Sequence, residues 1–88
     1  MQNKPPLTLD LCVAAVVNAT DYPKHYKAGT SDTTTLWDLG VVTAIDQAHF
    51  LSRVKSNINP WAIDSSLVKS STDTTVQACA VSVKNNAH

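Results

Sequence analysis

The chain has 88 residues, 43% of them hydrophobic, and its seven Lys plus Arg balance seven Asp plus Glu. That length holds one core, so residues 1–88 form a single domain, and the apolar content is too high for a disordered chain. Zero net charge excludes nucleic-acid binding through a basic excess, and the longest apolar run, Leu11 to Val17, falls far short of the roughly 20 residues that span a bilayer.

Every acid is an Asp and Thr is abundant, a composition that caps helices and shapes turns more than it fills helix interiors. Pro5 and Pro6 extend the chain ahead of a first helix, for which Thr8 is the N-cap. Leu7, Leu11, Val13, Ala14, Val16 and Val17 carry that helix to about Ala19. Asp10 interrupts this stretch and only Lys4 precedes it, so it lacks the form of a signal peptide and the expected compartment is the cytoplasm. The sequon Asn18-Ala19-Thr20 is taken as chance.

Residues 20–35 form a long loop with Pro23, Gly29 and a Ser/Asp/Thr cluster, tacked to the body by Tyr22 and Tyr26. Leu36 to Leu39 make a short helical turn stopped by Gly40. Thr43 and Asp46 form a capping box for a second helix. Ile45, Ala48, Leu51, Val54 and Ile58 recur along one buried face, which Phe50 widens. Ile45 is the expected first buried position, and Trp37 is expected to pack under the start of this helix. Residues 59–72 are irregular with one short helical turn. Thr74 and Gln77 then cap a last helix, whose Val76, Cys79, Ala80 and Val83 share a face.

Cys12 and Cys79 lie in apolar stretches near opposite ends. Two buried free thiols are expected, with a disulfide between the first and last helices as the alternative. The Cys and His spacing makes no metal site. No residue has a catalytic setting, and with only Gly29 and Gly40 there is no phosphate-cradling loop, so an enzyme is not expected.

This order of elements resembles the acyl carrier protein family. The resemblance rests on Asp38-Leu39-Gly40 ahead of the second helix, on the apolar spacing from Ile45 to Ile58, and on Thr74-Thr75-Val76-Gln77-Ala78 opening the last helix. It covers about residues 7–86 and implies an all-α, four-helix carrier-protein-like bundle with a long first loop and a short third helix. It also implies a role in tethering an acyl or peptidyl group in lipid or polyketide biosynthesis, or in acting as a degenerate carrier through protein contacts. The family holds 4'-phosphopantetheine on a Ser at the start of the second helix, where free amides and the helix dipole favour a phosphate. Here Val41-Val42-Thr43-Ala44-Ile45 stands in that place. Thr43 aligns with the Ser without a gap, whereas Ala44 does when Ile45 is matched to the family's Leu, so Thr43 is the one candidate attachment point. Asp64-Ser65-Ser66-Leu67 repeats the motif's letters too late in the chain to serve. The expected partners are biosynthetic enzymes or another protein, met by a monomer through Ile45, His49 and Arg53 of the second helix. Those basic groups, with no Glu, point to acidic partners. The alternative is a small helical interaction or regulatory protein unrelated to carriers.

Overall fold

The computed structural model describes residues 4–88. Among them are three α-helices: α1 Leu9–Asn18, α2 Ala44–Asn57 and α3 Val76–Asn86. Three single 3-10 turns, Pro23–His25, Trp37–Leu39 and Ser65–Leu67, interrupt the connections. The all-helical class holds, but the expected four-helix count does not. The short third helix is reduced to the turn Ser65–Leu67, flanked by buried Ile63 and Val68. The Asp64 carboxylate accepts from the Ser66 amide at 3.0 Å and the Ser66 hydroxyl at 2.7 Å. Such local bonds close a turn and compete with helix growth.

Thr8 caps α1 as its position suggests, its hydroxyl accepting from the Leu11 amide at 3.2 Å. Cys12, Ala15, Val16 and Val17 of α1 are buried. They pack chiefly against Val76, Cys79, Ala80 and Val83 of α3, the face that the spacing marked. Small side chains dominate both faces and allow close helix approach. The α3 cap lies one residue later than expected, on Thr75, whose hydroxyl accepts from the Ala78 amide at 3.1 Å. Thr74 instead bonds the Ser71 hydroxyl, and the Gln77 side chain accepts from Ser31 at 3.0 Å. Long-range pairing overrides the local box: Thr35 and Thr75 form an antiparallel bridge. The Val76 amide donates to Thr34 at 2.8 Å and the Gln77 amide to Ser31 at 2.7 Å.

The same pairing fixes the long loop. The Leu36 and Trp37 amides donate to Thr74 and Thr72 at 2.9 and 3.0 Å, and Leu36, Leu39 and Val41 are buried anchors. Tyr26 packs on the core, whereas Tyr22 is exposed and its ring lies over Gly40. Gly40 ends its turn at φ +97°, and a Cβ there would meet the Tyr22 ring at 2.5 Å, so only glycine fits.

α2 crosses α1 with its C-terminal half. The Asn57 amide donates to the Ala15 carbonyl at 3.0 Å, and Arg53 reaches the Ala19 carbonyl at 3.4 Å and the Asp21 carboxylate at 2.9 Å. Phe50, Val54 and Ile58 are therefore buried and Leu51 is half-buried. Ile45 and Ala48, expected on the same buried face, are exposed. The reason is register. At about 100° per residue Ile45 lies roughly 180° around α2 from Val54 and Ala48 about 120° from it, so both face away from the side that Phe50, Val54 and Ile58 bury.

Candidate functional site

Residues 36–49 carry the features that a carrier would use, and they form one corner of the molecule. The capping box at the start of α2 is complete. The Thr43 hydroxyl accepts from the Asp46 amide at 3.1 Å, and the Asp46 carboxylate accepts from the Thr43 and Val42 amides at 3.0 and 3.2 Å. Those amides, Thr43's first, hold the Asp46 carboxyl below its ordinary value of 3.8.

Thr43 is exposed, as an attachment residue must be. Its hydroxyl serves as the helix cap, accepting from the Asp46 amide, and the Asp46 carboxylate beside it takes the Thr43 and Val42 amides, which precede the first turn.

Three large apolar side chains near this cap in the chain are exposed. Trp37 is 57% exposed, Val42 41% and Ile45 69%. The expected seat of Trp37 under α2 is thus corrected: Leu36 and Leu39 fill the core on either side of it, and the 3-10 turn points the indole outward.

The chain matches no family model, no curated protein and no solved structure.

The three residues named for partner contact do not act alike. Ile45 is exposed, and His49, one turn further along α2, is exposed too. Arg53 is not a free docking charge, because its guanidinium pairs with Asp21 and reaches the α1 C-terminal carbonyl of Ala19. That pairing weakens the case for an acidic partner.

Elsewhere, Cys12 and Cys79 are free and buried. Burial pushes the Cys79 thiol up to about 12, with Cys12 adding to the rise, and burial also raises Cys12 against the pull of Lys84. Thiols of this kind are poor nucleophiles. Among the described residues no three His, Cys, Asp or Glu side chains gather as a metal site. Thr20 of the sequon is buried, with its hydroxyl bonded to the Val17 carbonyl.

A groove of about 350 Å³ lies at the opposite end of α2, a feature the sequence reading missed. Leu7, Leu11 and Ala14 form one wall, Ile58 and Trp61 another, and the extended residues Pro5 and Pro6 edge it. The signal available was the stripe Leu7, Leu11, Ala14 and Asn18 at helical spacing, but the partner wall is more than 40 residues away in sequence.

Proposed function

We propose that the protein works by docking to another protein through the corner at the start of α2, as a carrier-shaped scaffold without an arm. The observation that carries this reading is the exposure of Trp37, Val42 and Ile45 within nine consecutive residues, 37–45. Single exposed apolar side chains are ordinary, whereas several grouped at one corner mark a contact surface. Trp is also the residue type most enriched among binding hot spots. The order of helix, long loop, Asp38-Leu39-Gly40 turn, capped helix, short turn and final helix supports the carrier-like part of the reading. What supports the absence of the arm is that no Ser stands at the start of α2, where the Thr43 hydroxyl is engaged as the helix cap.

The partner on this reading is a biosynthetic enzyme of acyl-chain or peptide assembly. A photo-cross-linking residue at Ile45 tests it in cells that make the protein. One dominant adduct with such an enzyme, lost when Trp37→Ala is added, is the expected outcome. An adduct with an unrelated protein would favour a small interaction module outside the carriers, and no adduct would sink the docking corner. In parallel, incubation with coenzyme A and a broad-specificity phosphopantetheinyl transferase is expected to leave the intact mass unchanged. A gain of one arm that Thr43→Ala abolishes would restore a true carrier.

A further inference from the structure

The groove beside Trp61 already shows one occupant along its edge, supplied by the chain itself. Pro5 and Pro6 line its edge, and Lys4 precedes them. The Trp61 indole N–H donates to the Pro5 carbonyl at 2.8 Å, and the Lys4 ammonium sits 5.1 Å from the centre of the Trp61 ring. An aromatic wall with an indole donating to a proline-segment carbonyl is the chemistry by which extended proline-rich peptides are held in grooves. We propose that this groove is a receptor for an extended, proline-rich segment of another protein, which enters by exchanging with the chain's own Lys4–Pro6 strap.

The lining agrees with that occupant. Proline-rich backbone offers carbonyls and few N–H groups, so a receptor needs donors. The polar side chains of the groove are amides, Asn18, Asn57 and Asn59, and no charged side chain lines it. Leu11 and Ala14 are exposed and give proline rings an apolar wall. Cavity volume remains with the strap in place, so a longer segment would cover more of the floor than the strap does. Residues Lys4–Pro6 contact Trp61 through one indole hydrogen bond and one cation–π contact, while Leu7 stays packed on the core. Such a hold is exchangeable, and it lowers the apparent affinity of a competitor by the fraction of time that the seat is free.

The site lies about 20 Å from the start of α2 along the helix, so its test is separate from that of the docking corner. An acetylated peptide Lys-Pro-Pro-Leu-Thr is titrated into the full-length protein, with the Trp61 indole N–H followed by nuclear magnetic resonance. Saturable shifts are expected at Trp61, Leu11 and Asn57. Binding is expected to be about tenfold tighter in the Pro5→Gly/Pro6→Gly protein, whose strap competes less. Trp61→Phe, which keeps an aromatic wall and removes the donor, should lose binding, and a peptide with glycine for both prolines should not bind. Circular dichroism checks that each variant is folded, and the wild-type titration stands if one is not. Absence of saturable shifts in the wild-type and strap-weakened proteins overturns the proposal. So does equal affinity in both, or equal binding of the glycine peptide. Shifts that grow with protein concentration before any peptide is added would assign the groove to a second copy of this chain instead.

Discussion

At the residue scale, the start of α2 depends on two side chains that close a ring with the backbone. Removing the Thr43 hydroxyl leaves the Asp46 amide without its acceptor, and Thr43→Ala is expected to cost about 1 kcal/mol in denaturant unfolding. Asp46 adds a pH dependence with a definite sign. Its folded-state carboxyl is held below the ordinary 3.8 by the Thr43 and Val42 amides. The stability it contributes is present above about that pH and is lost as pH falls through the lower folded value. Acid unfolding of Asp46→Asn should therefore have a shallower slope below that pH than the wild type. An identical slope would mean that the carboxylate leaves the cap in solution.

At the scale of the element, α2 has two halves with different duties. Its C-terminal half holds Phe50 and Val54 in the core and ties down the end of α1 through Asn57 and Arg53. Phe50→Ala should cost about 3–5 kcal/mol, the range for a large buried aromatic. At its start Ile45 faces away from the core, on the side opposite Val54. Ile45→Asp should change stability by no more than about 0.5 kcal/mol, since the position is exposed and an acid near a helix N-terminus is favourable. A thermal melt of both variants separates these outcomes. A large loss in Ile45→Asp would place Ile45 in the core, as the apolar spacing alone had suggested. That spacing stepped by three residues from Ile45 to Val54 and so drifted to the opposite side of the helix, which is why its first members face away from the core.

At the scale of the whole molecule, α1 and α3 bring the two ends of the chain together around Cys12 and Cys79. Both thiols are wholly buried and both are pushed up by burial, Cys79 to about 12. In the native protein at pH 8, a thiol reagent should therefore label neither cysteine faster than the protein unfolds. Both should react at once in denaturant. The linked stability is present below the ordinary value of 9.0 and declines as pH rises above it, because the unfolded chain ionises first. Rapid native labelling would show that the α1–α3 interface opens. Further cross-chain bonds close the fold: the Ala62 and His88 amides each donate to the other's carbonyl at 2.9 Å.

Much of the local structure was legible in the residues. The Thr8 cap, the Thr43–Asp46 box, the stop at Gly40 and the buried face of α3 each depend on groups within one or two turns of each other. The candidate site was legible in position but not in state. The sequence marked residues 37–46, yet it placed Trp37 and Ile45 inside, and it treated Arg53 as free. Arg53 and the Thr75 cap depend on partners far along the chain, Asp21 and Thr35, whereas Ile45 lies on the side of α2 opposite Val54. The groove needs α1, the end of α2 and the N-terminal strap at once. The sequence by itself determined where helices begin and which side of each is apolar, because those depend on hydrogen bonds and spacing within a few residues. Only the tertiary structure decided which apolar side chains are covered, because burial depends on which side of each helix its distant neighbours in the chain meet.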